Sequence, residues 1–272
     1  MKYLFFFCLL VPATSFALVT SPVPLAINDT LVEIKTIQEG GLIEPNENKD
    51  SFQPANIDIY QLSVTRGVEN LFSFGEDHFF KIDYRYFISG KEQFYAEDKG
   101  QSLTATYGLN FVHTPEYSAG LYFGVSPLTQ FNKDKFSVPR VDLYHFGLTS
   151  GSEINSNWFL ANSLHFGSGI PGKQNSYASL TNFLGYKAQN LIVKFGPYLE
   201  FDLNERTDRN YDAAYSAPGR SDRIKAAKFG VLGFVDFAIS ADSFINVGYV
   251  QKQSGYDAPA TNALVLGFST KF

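Results

Sequence analysis

The dominant pattern along the chain is an alternation of apolar and polar residues with a period of two. In residues 80–88 every even position is apolar, whereas Lys81, Asp83 and Arg85 occupy odd positions. Alternate side chains of a β-strand point to opposite faces, so this segment predicts a strand with one apolar face. The same alternation is found in residues 103–111, 117–126 and 191–203.

These segments are long enough to cross a membrane as tilted strands. They span about nine to thirteen residues, and a transmembrane β-strand needs about nine to eleven. Their apolar faces are rich in Phe, Tyr and Leu, and their polar faces carry Gly, Ser, Thr, Asn and charged residues. A membrane barrel needs apolar side chains towards the lipid and polar side chains towards the lumen, although a strand of a soluble sandwich can show the same alternation. Weaker alternation predicts further strands near residues 30–38, 57–66, 141–150, 157–167, 176–187, 225–238, 244–252 and 262–272.

Short and long connections alternate from residue 78 onwards. The short ones are residues 113–116, 151–156, 187–190 and 240–242, and the longer ones are 89–101, 127–139, 168–175, 204–223 and 253–261. Outer-membrane barrels have short periplasmic turns and longer external loops, and a soluble sandwich has no reason to sort its loops in this way. We therefore predict an all-β fold, a closed antiparallel transmembrane β-barrel of twelve strands. The alternative is ten strands, with residues 18–76 as an N-terminal periplasmic extension or plug.

The N-terminus has the pattern of a secretory signal peptide. Lys2 supplies the positive charge, residues 3–11 are apolar, and Ser15 and Ala17 are the small residues before a cleavage site. The predicted organisation is a cleaved signal peptide at 1–17, a periplasmic segment at 18–29 and the barrel at 30–272. The only cysteine, Cys8, lies within the signal peptide, so the mature chain is expected to have no thiol chemistry.

Composition narrows the classes of function further. The net charge is −5, and no large basic surface is indicated, so we expect no nucleic-acid partner. Past the signal peptide, no stretch approaches about 18 consecutive apolar residues, so no transmembrane helix is predicted. The histidines show no metal-binding spacing, so neither a metal nor another cofactor is expected.

The C-terminus carries the family resemblance. Phe272 is the last residue, and Phe268 and Leu266 precede it at alternate positions. This pattern resembles the closing strand of Gram-negative outer-membrane proteins. The resemblance implies a location in the bacterial outer membrane and recognition by the barrel-assembly machinery. It also implies contact with outer-membrane lipid and lipopolysaccharide.

The polar faces of the predicted strands supply the candidate functional residues. Basic and acidic side chains occur there in similar numbers, so they form either a salt-bridge lattice that fills the lumen or the lining of a narrow pore. Eight strands enclose a filled interior and sixteen an aqueous channel, and twelve strands fall between them. The pore-lining candidates are Lys81, Asp83, Arg85, Thr104, Asn110, Arg140, Asp142, His165, Lys194, Tyr198, Glu200, Asp202 and Lys252.

Three functions are compatible with this barrel. The preferred hypothesis is a non-enzymatic, narrow porin-like channel for passive diffusion of small hydrophilic solutes. The second is a non-conducting structural or surface-interaction barrel of the adhesion type, with a salt-bridged lumen. The third is an outer-membrane lipid hydrolase, since residues 165–169 (His-Phe-Gly-Ser-Gly) loosely resemble the His-x-Ser-Asn-Gly element of outer-membrane phospholipases. That resemblance departs in spacing, and on a straight strand His165 and Ser168 point to opposite faces.

Overall fold

The computed structural model describes residues 25, 27–45, 52–72, 74–89, 98–130, 142–168, 176–203, 227–253 and 261–272. These residues form twelve antiparallel strands. The strands are β1 (Thr30–Pro45), β2 (Phe52–Val68), β3 (His78–Ser89), β4 (Asp98–His113), β5 (Tyr117–Gln130), β6 (Tyr144–Glu153), β7 (Trp158–Ser168), β8 (Ser176–Ala188), β9 (Leu191–Asp202), β10 (Ala227–Ala238), β11 (Ser243–Lys252) and β12 (Thr261–Lys271). The predicted signal peptide and Arg140 lie outside the described residues.

The strands close into a barrel in which every strand pairs with its sequence neighbours. The first and last strands also pair, from Leu31 opposite Lys271 to Gly40 opposite Asn262. Closure leaves no open sheet edge, so each strand has a hydrogen-bonded partner on both sides. The prediction of twelve strands is therefore confirmed, and β1 and β2 belong to the barrel. The described part contains no helix with the length and apolarity needed to cross a bilayer.

The alternation predicted from the sequence separates an inner face from an outer face. On β10, Val231 is 61% exposed, whereas its neighbour Leu232 is 4% exposed. Large apolar residues such as Phe195 and Leu266 are half exposed on the outer face, and charged residues such as Lys81 are buried on the inner one. A closed barrel buries the face that looks into its interior, so the parity of a residue fixes the face on which it lies.

The two ends of the barrel can be told apart by the chain termini. We call the end where β1 begins and β12 finishes the terminal end, and the opposite one the loop end. Backbone hydrogen bonds join Thr30 and Phe272 at the terminal end, with N–O distances of 3.0 and 2.8 Å. The described connections at this end include residues 114–116, 154–157, 189–190 and 239–242, which are short as predicted.

One connection lies against the outer face and changes the exposure of β4. Tyr107 and Leu109 have the parity of outward residues, yet they are only 8% and 2% exposed. The β2–β3 connection covers them: the Phe72 ring packs edge-on against Tyr107, with centroids 6.0 Å apart. Gly75 has a φ of 88°, and a Cβ there would lie 2.8 Å from Leu109 Cδ1. The outer face of β4, on which the alternation in residues 103–111 places apolar side chains, is thus covered by this connection at the terminal end.

Candidate functional site: the barrel lumen

Most of the predicted pore-lining residues lie on the inner face and are buried. Lys194 lies there too, with its side chain 13% exposed. Asp202 ends β9 opposite Tyr177. The buried inner-face residues of the predicted set are Lys81, Asp83, Arg85, Thr104, Asn110, Asp142, His165, Tyr198, Glu200 and Lys252.

A cluster of charged residues on β1 and β3 forms one part of the inner wall. The charged cluster consists of Glu33, Lys35, Lys81, Asp83 and Arg85. The Lys35 ammonium lies 2.8 Å from the Glu33 carboxylate, and the Lys81 ammonium lies 3.1 Å from that of Asp83. Each of these ion pairs joins residues two apart on one strand, so the charges alternate in sign along the wall. Such pairing offsets the cost of burying charge.

Hydroxyl and amide groups of β2 complete the surroundings of Asp83. Gln61 donates a hydrogen bond to Asp83 Oδ1 at 3.0 Å, and the Ser63 hydroxyl donates to the same oxygen. Because Ser63 lies directly opposite Asp83 in the register, these contacts follow from strand pairing. They hold the carboxylate in one position on the inner wall.

A second group of charges lies on β9, β10 and β11. The Lys194 ammonium is 2.7 Å from the Asp236 carboxylate, to which Asn246 also donates a hydrogen bond at 2.8 Å. The Lys252 ammonium lies 4.8 Å from the centre of the Tyr198 ring, close enough for a cation–π contact. Asp236 was missed in the sequence analysis because it follows a run of small and apolar residues in β10.

Histidine, tyrosine and aspartate side chains form a connected network on the wall from β5 to β8. Asp142 accepts hydrogen bonds from the Tyr177 hydroxyl at 2.7 and 2.8 Å and lies 2.9 Å from His165 Nε2. The other ring nitrogen of His165 lies 2.8 Å from the Tyr122 hydroxyl. His145 stacks on His165 with ring centroids 5.7 Å apart. Hydrogen bonds therefore hold this wall together laterally.

The same network bears on the hydrolase hypothesis. Both ring nitrogens of His165 face tyrosine or aspartate oxygens. In the strand β7, His165 shares its parity with Gly167, and Ser168 takes the opposite parity. A nucleophile must lie within hydrogen-bond reach of its base, whereas the ring nitrogens of His165 lie beside Tyr122, Asp142 and Tyr177. The described residues also contain no cluster of metal-ligand side chains.

Inner aromatic rings lie flat against the wall because glycine stands opposite them. Gly147 is the register partner of Tyr122, and a Cβ at Gly147 would overlap the Tyr122 ring. Glycine therefore leaves the surface on which the ring rests. A larger residue would push the ring towards the barrel axis. The same arrangement occurs in the register pairs Phe79 with Gly108, Phe159 with Gly185, Tyr177 with Gly167 and Phe234 with Gly248.

Apolar residues also line part of the inner face, which the sequence analysis did not predict. Ile37 and Ile59 have the parity of the charged residues on their strands and are at most 1% exposed. We call the inner-face apolar residues of two adjoining register rows the apolar strip. Its members are Phe159, Phe234, Val265, Ile37, Ile59 and Phe87 in one row, and Ala161, Phe183, Leu232, Val250, Ala263 and Ile57 in the other.

Solved structures of outer-membrane proteins share this fold at low sequence identity. An outer-membrane channel from Pseudomonas putida F1 is 10% identical, with a TM-score of 0.63, and the match covers 91% of this chain and 97% of that one. The NanC porin is 8% identical with a TM-score of 0.53, covering 89% of this chain and all of the other. The transport unit of the autotransporter AIDA-I from Escherichia coli is 9% identical with a TM-score of 0.51, covering 90% of each chain.

These likenesses show that the chain has the fold of outer-membrane β-barrels. The matched structures include a channel, a porin and an autotransporter unit, so fold alone does not select among these functions. No protein-family profile matches the chain, and no curated protein matches its sequence.

Proposed function

We propose that the chain forms a narrow porin-like channel in a bacterial outer membrane, through which small hydrophilic solutes diffuse passively. The observation that carries this proposal is the ion-paired, hydroxyl-rich inner wall of a closed barrel. Polar side chains on the inner wall can replace hydrogen bonds that a hydrophilic solute loses with its hydration water, which lowers the free-energy cost of its entry. The proposed channel has no catalytic role.

The outer face supports the membrane location in this proposal. Its exposed large apolar residues include Phe195, Val231 and Leu266, at 52%, 61% and 50% exposure. Apolar side chains facing outward from a closed barrel match lipid rather than water. The proposal includes export from a Gram-negative cytoplasm with a cleaved signal peptide. It also includes recognition of the strand ending at Phe272 by the assembly machinery.

The ring–glycine pairs favour a passage over a filled interior. An aromatic ring that projected inward would narrow the interior of the barrel, whereas Tyr122 and Phe234 rest on Gly147 and Gly248. The rings therefore line the wall instead of blocking the path. Twelve strands fall between the filled barrel of eight strands and the aqueous channel of sixteen, so the proposed passage is narrow.

Ion selectivity provides the test of the channel. Purified protein in planar bilayers is expected to show discrete openings in potassium chloride. Lys81→Gln is expected to shift the permeability ratio towards cations and Asp83→Asn towards anions. A unit charge acting over about 6 Å in a water-like dielectric changes the free energy of an ion by about 0.7 kcal/mol, or about three-fold in that ratio.

The control for this test is Arg66→Gln, which removes an exposed charge at the terminal end, outside the lumen. Its permeability ratio should equal that of the unmodified protein. Shifts of one sign for both lumen variants would contradict the assignment of the charged cluster to the ion path.

A second candidate, the non-conducting barrel with a salt-bridged lumen, is favoured by one observation. Inner side chains such as Ser63 and Thr181 are 0% exposed, which is the burial expected of a filled interior. The same bilayer experiment separates the two functions. Electrical silence of folded protein would support the filled barrel and overturn the channel.

A further inference from the structure

The β2–β3 connection is the longest connection at the terminal end. It comprises the nine residues 69–77, whereas the other connections at this end have two to four residues. Two residues are enough to join neighbouring antiparallel strands, so strand pairing does not require this length. The additional residues lie against the outer face of β4, where Phe72 packs edge-on against Tyr107. The segment therefore makes a contact that a simple turn cannot make.

The contact of this connection lies within the outer apolar face. Tyr107 is the register partner of Phe80 on β3 and of Phe123 on β5, and both of these phenylalanines are exposed on the outer face. The Tyr107 and Phe123 rings touch, with centroids 5.6 Å apart. Because Phe80 lies two residues inside β3, the connection folds back from the end of the barrel over the outer face. Its apex is thus continuous with that apolar surface.

The apex itself exposes large apolar side chains. Leu71, Phe72 and Phe74 are 69%, 47% and 58% exposed, and the two phenylalanine rings stack with centroids 5.5 Å apart. Together they present about 350 Å² of apolar surface. The exposed acidic residues Glu69 and Glu76 stand near the two ends of the connection. Contiguous apolar surface with a polar rim marks contact with a membrane or with another protein.

Polar groups lie on the covered side of the connection. His78 is 1% exposed, and its Nδ1 is hydrogen-bonded to the Tyr107 hydroxyl. Both residues have the parity of outward residues, so without the connection their polar atoms would face the surroundings of Phe80. A polar group placed in hydrocarbon costs free energy unless it is paired and covered. Polar groups underneath and apolar side chains outside are the arrangement expected against lipid, and the reverse is expected in water.

Hydrogen bonds hold the connection in one position. The Asn70 side chain donates to the Gly75 carbonyl at 3.5 Å, which closes the apex. The Glu76 backbone N–H donates to the Asn110 carbonyl at 2.6 Å, and the Asn110 side chain donates to Asp77 at 3.2 Å. The apolar side chains are therefore presented from a fixed backbone, which lowers the entropy that binding costs.

We propose that the β2–β3 connection is a lipid anchor, whose Leu71, Phe72 and Phe74 side chains enter the bilayer leaflet at the terminal end. This inference rests on the membrane location in the proposed function and adds a lipid contact made outside the strands. The apolar apex reaches about 5 to 10 Å into the boundary between headgroups and acyl chains, and Glu69 and Glu76 stay among the headgroups. A second copy of the chain fits less well, because stable complexes bury about 800 Å² per partner.

Quenching of tryptophan fluorescence by brominated lipid tests the anchor. Trp158 is the only tryptophan, so Trp158→Phe gives a background without tryptophan fluorescence. In that background, Phe74→Trp and, separately, Leu71→Trp report on the apex in vesicles of phosphatidylcholine brominated on its acyl chains. Both are expected to lose fluorescence, as Val231→Trp on the outer face of β10 should. Glu116→Trp, in the exposed turn between β4 and β5, should retain its fluorescence.

Aqueous acrylamide separates the other possible surroundings of the apex. Apex tryptophans that acrylamide quenches and brominated lipid does not would lie in water, which would overturn the anchor. Apex tryptophans that neither agent quenches would be covered by protein, such as a second copy, and the anchor would again be wrong. In both cases, quenching of Val231→Trp by brominated lipid would leave the membrane location intact. If Val231→Trp is not quenched by the lipid, the membrane location fails, and the anchor with it.

Discussion

Gly196→Ala is expected to destabilise the folded barrel by about 2 to 3 kcal/mol, or to prevent refolding. Gly196 lies on the inner face of β9, where the strand passes close to β8. A Cβ there would overlap the backbone oxygen of Asn182 and lie 2.7 Å from its carbonyl carbon. Backbone atoms cannot rotate away as a side chain can, so the two strands would have to separate. The urea midpoint of protein refolded in lipid vesicles measures the effect.

Gly233→Ala is the matched control on the neighbouring strand. A Cβ at Gly233 would meet no atom within 4 Å. Since alanine restricts the unfolded chain more than glycine does, this variant is expected to be unchanged or more stable by up to about 1 kcal/mol. Equal urea midpoints for the two variants would show that β8 and β9 are not as close as the structure has them.

Val231→Arg is expected to destabilise the barrel in lipid vesicles by about 2 to 4 kcal/mol. Val231 lies near the middle of β10 on the outer face and is 61% exposed. If this face meets hydrocarbon, an arginine there must be taken out of water. The same urea titration measures the loss.

Ile154→Arg provides the comparison for that substitution. Ile154 is similarly exposed, at 56%, but lies in the turn between β6 and β7. At the membrane interface or beyond it, arginine costs about 0 to 1 kcal/mol. Should both arginine variants lose the same stability, the outer belt would not be in hydrocarbon, and the proposed location would be wrong.

The number and phase of the strands could be predicted from the sequence because burial acts on every second residue. In β3, the charged set Lys81, Asp83 and Arg85 turned out buried, and the apolar neighbours Phe80 and Ile82 turned out about two-fifths exposed. A slip of one residue would reverse all these positions, so alternation fixes the phase strongly.

The apolar strip could not be predicted because the alternation rule assigns polar residues to the inner face and apolar residues to the outer face. Ile37, Ile59 and Phe87 share their parity with charged residues on the same strands, which blurred the pattern locally. That these three residues form one apolar row becomes visible only when the register of β1, β2 and β3 is known. The same holds for Tyr122 and Gly147, whose contact depends on pairing between β5 and β6.

The histidine network illustrates a second limit of the sequence. Asp142, His145 and His165 gave no recognisable spacing, because their separation reflects loop lengths rather than strand geometry. Strand pairing places His145 and His165 on neighbouring strands of one wall, and Asp142, just before β6, and Tyr177 join them there. The covering of Tyr107 by Phe72 is of the same kind, since an irregular connection leaves no periodic trace.

The barrel can close only after its last strand has been made, because β1 pairs with β12. The hydrogen bonds at this closure join Thr30 to Phe272, which are separated by almost the whole barrel-forming sequence. Contacts between such distant segments carry a large loop-closure cost and form slowly. A nascent portion of this polypeptide that lacks β12 cannot complete the barrel. Until β12 has been made, the strand edges of β1 and of the growing sheet stay open and prone to aggregation.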